Sequence, residues 1–317
     1  MVFVWAVVGL ALLVGAGDAL VRGAVNLALR LGIPALIVSL TIVAFGTSAP
    51  ELLISIQAVL DGVPGIALGN VVGSNTANVL LVLGVPALLT GLTMHGDETR
   101  KSFLTMIGAT LLFIGLCFAT PLTWWHGLVM LGALALVLGD QFREARTARR
   151  DKKAAALLED EVEGADLSMP WWKIIVFLIV GLVGLPIGAQ LLINASTQIA
   201  KIFGLSDAVI GLTLVAIGTS LPELATTIAA AFRRQADVAL GNVIGSNLFN
   251  LLAIIGIAAL VGPIPVAREF LVLDLWVMLA ASLLLAPFVF RNWYMGRIWG
   301  ALFCATYAAY LARLVMS

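Results

Sequence analysis

Apolar runs long enough to cross a bilayer recur from one end of this chain to the other, and they leave few ways to fold it. A membrane-spanning helix needs about 20 mostly apolar residues. Ten such windows begin near Val2, Pro34, Ile66, Ser102, Leu122, Trp171, Asp207, Val238, Phe270 and Arg297. In hydrocarbon each backbone N–H and C=O must be satisfied within the protein, so runs of this length become bundled helices. Composition agrees: 61% of the 317 residues are hydrophobic and 11% are charged, against roughly 25% charged in soluble domains. A soluble globular enzyme is excluded. Eighteen Lys and Arg balance 18 Asp and Glu, without the basic surplus that nucleic-acid binding needs. The expected fold class is an all-α integral membrane protein with ten transmembrane helices, whose surroundings are the lipid bilayer.

The first run lacks a basic leading segment and continues through Asp18 and Arg22, so it reads as a retained helix rather than a signal peptide. Cys117 and Cys304 both fall inside apolar runs and indicate neither a disulfide framework nor a metal cluster. Lys and Arg favour short cytoplasmic loops. An outside N-terminus leaves only Lys201, Arg268 and Arg313, of 18 basic residues, on the outer side. The expected placement is therefore the cell membrane, with the N-terminus outside and the polar segment 141–169 in the cytoplasm. That segment divides the chain into a first five-helix unit, 1–140, and a second, 170–317. It is too short to be a separate folded domain. Trp124, Trp125, Trp171, Trp172 and Trp293 fall at expected span ends, as an interfacial belt would. His95 and His126 read as surface groups near membrane ends. The sequence carries no signal for an oligomeric state.

Shifting the chain by 172 residues lays TIVAFGTSAPE (41–51) on TLVAIGTSLPE (213–223), and IALGNVVGSNTANVL (66–80) on VALGNVIGSNLFNLL (238–252), with no gap between the blocks. Chance likeness between apolar segments preserves Leu, Val and Ala; here Gly, Thr, Ser, Pro, Glu and Asn persist. Five spans per unit reverse the direction of the second copy, giving two inverted five-helix repeats. Such symmetry marks secondary transporters, whose substrate site lies near the midplane between the repeats.

Glu51 and Glu223 sit deep inside their runs, where a charge costs about 2.5–3.5 kcal/mol on insertion scales and needs a partner. No Lys or Arg lies in the membrane interior to supply one. Two readings follow: protonated glutamates hydrogen-bonded between helices, or an exogenous cation, which the surrounding residues favour. Gly46-Thr47-Ser48-Ala49-Pro50 and Gly218-Thr219-Ser220-Leu221-Pro222 precede the glutamates. Each proline lacks an N–H and crowds the preceding turn, which frees backbone carbonyls. The second block adds Asn70, Ser74, Asn75 and Asn78, matched by Asn242, Ser246, Asn247 and Asn250. Residues four apart share a helix face, so Ser74 with Asn78, and Ser246 with Asn250, are expected to coordinate. Asn75 and Asn247 are expected to make interhelical hydrogen bonds alone. An all-oxygen set of this size suits hard cations, and Ca2+ better than Mg2+.

With these blocks the chain resembles the cation/calcium exchanger superfamily, and most closely its prokaryotic sodium/calcium exchanger branch, over essentially its whole length. Proton-coupled calcium exchangers carry GNxxE where this chain has GTSAPE and GTSLPE. The resemblance implies Glu51 and Glu223 as central ligands, joined by Thr47, Ser48, Thr219, Ser220, Ser74, Asn78, Ser246 and Asn250, with the carbonyls of Ala44 and Ala216 as sodium ligands. It implies transported Ca2+ and Na+ with no cofactor, countertransport through one shared site, and a first and sixth helix that slide across the rest. Potassium-dependent exchangers, and some prokaryotic relatives, have Asp where this chain has Asn250, which argues against potassium dependence. Asp18 and Arg22, four apart on the first helix, are expected to pair with each other. Proton or potassium coupling of the same fold is the nearest alternative. A cation channel is disfavoured by the inverted repeat, and an intramembrane enzyme by the lack of a nucleophile or metal arrangement.

Overall fold

The computed structural model describes residues 2–93, 97–151, 168–202 and 218–316. Among these residues every regular element is a helix, and two isolated backbone bridges, Leu92 with Met295 and Leu122 with Ile264, tie loops together. In chain order the helices are α1 (Val2–Leu31), α2 (Ala35–Thr47), α3 (Ala49–Leu60), α4 (Pro64–Leu89), α5 (Asp97–Cys117) and α6 (Trp124–Asp151). They continue as α7 (Trp171–Ile202), α8 (Leu221–Phe232), α9 (Ala236–Val261), α10 (Phe270–Phe290) and α11 (Arg297–Met316). Seven are long and apolar enough to cross a membrane, and α2 with α3 forms an eighth, broken span bent by 44°. The chain is therefore an integral membrane protein. The window expected from Asp207 is outside the described residues as far as residue 217, and its remainder, α8, has 12 residues.

Helix α6 runs on to Asp151, so the start of the polar segment continues the helix of the preceding span. Residues 152–167 are outside the described set. Trp124, Trp125, Trp171, Trp172 and Trp293 are all exposed, four of them at helix starts. His126 corrects the expectation of a surface group. It is buried, its ring stacks on Trp125, and its Nδ1 accepts the Thr123 N–H at 3.0 Å, closing the start of α6. His95 is outside the described residues.

The two most enclosed spans are α4 and α9, with 78% and 89% of their apolar windows buried. These are the helices with small and amide side chains, which let neighbours approach closely where bulky residues would hold them apart. A Cβ on Gly245 would lie 2.5 Å from the Leu40 carbonyl oxygen and 2.6 Å from the Ala44 Cβ, so α9 meets α2 backbone to backbone. Ser39 secures the same contact by donating its hydroxyl to the Val238 carbonyl at 2.6 Å. Helices α1 and α7 are joined likewise: a Cβ on Gly181 would lie 2.4 Å from the Leu20 Cβ, and one on Gly9 2.8 Å from the Leu192 nitrogen.

Asp18 pairs with Arg22 at 3.0 Å, as their spacing indicates. It also accepts from the Arg233 Nε at 2.6 Å, which ties α1 to the end of α8. A separation of 215 residues hides that second partner from any local reading.

A methyl at Gly245 meets backbone that cannot step aside, so Gly245→Ala is expected to cost about 1–3 kcal/mol, read as a lower thermal unfolding midpoint in detergent. Gly115→Ala, on the open face of α5, is expected to leave the midpoint unchanged.

Candidate ion-binding site

The site grows from two matching breaks. Helix α2 ends at Thr47, Ser48 leaves helical geometry at φ −86° and ψ 5°, and α3 starts with Ala49 and Pro50. In the second half Ser220 takes φ −88° and ψ 5° immediately before Leu221 and Pro222 of α8. Proline is tolerated there because first-turn N–H groups have no intrahelical partner. Each break therefore makes a new helix N-terminus inside the bundle, and Glu51 and Glu223 occupy those first turns. The partial positive charge at a helix N-terminus favours a carboxylate. The Ala44 oxygen, four residues before Ser48, accepts the Ser48 N–H at 3.0 Å and lies 3.3 Å from the Thr47 hydroxyl.

The glutamate backbone is held from the adjoining span. Asn70 Nδ2 donates to the Glu51 carbonyl at 3.2 Å and to Ser55 Oγ at 3.1 Å; Asn242 Nδ2 donates to the Glu223 carbonyl at 3.3 Å and to Thr227 Oγ1 at 3.2 Å. Ser55 and Thr227 are neighbours of the candidate site that the motif reading missed. They lie four residues after each glutamate, so carrying the repeat alignment one turn further would have found them.

Both carboxylates are buried and close enough for their charges to interact. Glu223 Oε1 accepts from Ser48 Oγ at 3.2 Å and from Ser246 Oγ at 3.4 Å. Thr47 Oγ1 lies 3.3 Å from Asn242 Oδ1 and 3.5 Å from Ser246 Oγ. Among the described residues no Lys, Arg or His pairs with either glutamate. Ser74, Asn78 and Asn250 are buried on α4 and α9. Asn78 and Asn250 stand within π-helical turns, Asn78–Val82 and Phe249–Ile254, that no periodicity argument indicated; such turns are frequent at functional sites. Thr219 is half-buried and engaged, and Ala216 is outside the described residues.

Five buried oxygens here lack a hydrogen-bond partner: Glu51 Oε2, Glu223 Oε2, Asn78 Oδ1, Asn250 Oδ1 and Ser220 Oγ. Buried polar atoms are normally satisfied, and leaving one unpaired costs about 1–3 kcal/mol. With the glutamates ionised, four of these five, the carboxylate and amide oxygens, can only accept, and a single cation among them would satisfy all four.

Residues 1–142 and 173–316 match the family model described as sodium/calcium exchanger protein, the interruption falling on the polar segment. The sodium/calcium exchanger MaX1 of Methanosarcina acetivorans is 34% identical over 347 residues, covering 98% of each chain. Inner membrane protein YrbG of Escherichia coli is 34% identical over 314 residues, covering 97% of this chain and 95% of its own. The fold matches a solved structure of the sodium-calcium exchanger NCX_Mj with a TM-score of 0.82 at 31% identity, covering 99% of this chain and 98% of that one.

Proposed function

The chain belongs to the sodium/calcium exchanger family, and on that premise we propose that it is an antiporter that moves Ca2+ out of the cell as Na+ enters, by alternating access through one shared site. The observation that carries this reading is the group of buried, unpartnered oxygens that includes a carboxylate from each repeated block. Two glutamates neutralise one Ca2+ or accompany several Na+, so the two ions compete for the same charge. That competition couples their opposing fluxes. The proposed ligands are Glu51, Glu223, Thr47, Ser48, Thr219, Ser220, Ser74, Asn78, Ser246 and Asn250, with the carbonyls of Ala44 and Ala216 for Na+.

The proposed architecture is ten spans in two inverted five-helix repeats, 1–140 and 170–317, with the N-terminus outside and 141–169 in the cytoplasm. Support for the inversion comes from reciprocal bonds: Asn75 Nδ2 donates to the Asn247 carbonyl, and Asn247 Nδ2 donates to the Asn75 carbonyl. A local twofold axis produces such an exchange. Sodium rather than potassium coupling is favoured by Asn250, which leaves the site with two carboxylates.

Vesicles holding the purified protein and loaded with Ca2+ are expected to release it when an inward Na+ gradient is imposed; release that ignores Na+ and follows only a K+ or pH gradient would overturn sodium coupling. Glu51→Gln and Glu223→Gln are each expected to weaken Ca2+ binding by about 10- to 100-fold, since charged hydrogen-bonding partners contribute about 1.5–3 kcal/mol. Undiminished transport by the double variant sinks the site assignment. Asn250→Asp is expected to change the ion dependence of flux, and an unchanged dependence removes the argument from that residue.

A further inference from the structure

Asn75 and Asn247 stand outside the ligand set, yet their bonds determine which end of a ligand's amide faces the ion. Each lies three residues before a ligand amide, Asn78 or Asn250, on the same face of its helix. A backbone carbonyl can only accept, so Asn75 must turn Nδ2 to the Asn247 carbonyl, at 3.2 Å. Its Oδ1 is thereby left as the acceptor for Asn250, whose Nδ2 donates to it at 3.0 Å. Asn247 repeats the arrangement: Nδ2 donates to the Asn75 carbonyl at 3.4 Å, and Oδ1 accepts from Asn78 Nδ2 at 3.1 Å. With their nitrogens held in this way, Asn78 and Asn250 have only Oδ1 left to present, and both of these oxygens are buried without a partner.

We propose that Asn75 and Asn247 are positioning residues for cation binding: each locks the amide of the ligand on the facing helix with its oxygen toward the ion. The lock is crossed, Asn75 acting on Asn250 and Asn247 on Asn78. Without it an amide can rotate about its terminal bond and offer an N–H2 group, which repels a cation. The proposal rests on the reading of Asn78 and Asn250 as ligands and adds what makes them so.

The crossed pairing supplies the test. Calcium affinity of the full chain in detergent is measured by titration calorimetry for Asn75→Ala, Asn247→Ala, Asn78→Ala, Asn250→Ala and their pairwise combinations. Each single variant is expected to weaken Ca2+ binding by about 10-fold, the value of one well-made polar contact to a charge. Asn247→Ala with Asn78→Ala is expected to lose no more than Asn78→Ala alone, because the lock acts only through that ligand. Asn247→Ala with Asn250→Ala is expected to lose about 100-fold, the two effects being independent. Asn75→Ala should show the reverse dependence. A merely structural role would give the same coupling to both ligands, and that result overturns the proposal. Full affinity in Asn78→Ala and Asn250→Ala instead overturns the ligand reading, which separates the two failures. Where an alanine variant does not fold, Asn→Leu at the same position keeps the branched shape for the cycle; loss of folding in every variant at 75 and 247 assigns the pair to the fold alone and overturns the proposal.

Discussion

A carboxylate taken out of water needs donors or a cation, and this chain buries two of them, in positions related by the same 172-residue shift that relates the repeated blocks. Much of the surrounding structure answers that need. Ser48 and Ser220 stand where fresh helix N-termini begin inside the bundle, and the prolines sit where a missing N–H costs nothing. Asparagines from the next span hold the glutamate backbone, leaving side-chain oxygens to face one another. Helices carrying these groups come near enough only because glycines stand at the crossing of α2 and α9. Removing the charge requirement would leave the breaks, the amides and the small residues without a common purpose.

The halves answer it unequally. Glu223 takes bonds from Ser48 and Ser246, whereas the hydroxyl of Ser220, the counterpart of Ser48, has no partner. Identical surroundings for both glutamates would describe a site related in the same way to both membrane faces. The two repeated blocks thus differ in the hydroxyl groups that reach their glutamates.

What the sequence made legible was whatever depends on short spacing or on repetition. The breaks before Glu51 and Glu223, the pair of Asp18 with Arg22, and the interhelical role of Asn75 and Asn247 all follow from residues within a few positions or from the second copy. Arg233 as a second partner of Asp18 was invisible because nothing local connects residues 215 apart. The π-helical turns at Asn78 and Phe249 lay hidden for another reason: widening a helix by one residue leaves no mark in hydropathy. His126 was misplaced because a polar residue at a span end suggests solvent, whereas its ring nitrogen serves a backbone N–H. Amide orientation is the subtlest case. Asparagine names both a donor and an acceptor, and only the carbonyls on the facing helix decide which one is turned inward.

The glycine contacts between α1 and α7 make those two helices a single packed pair. Backbones in direct contact leave no room for a side chain between them, so the two helices pack as one unit. Asp18 binds this pair to Arg233, the residue that closes α8, and Glu223 stands in the opening turn of that same helix. Twelve helical residues make a rod of about 18 Å. A straight helix therefore runs from the Asp18–Arg233 pair, where α1 meets α8, to the buried carboxylate of Glu223.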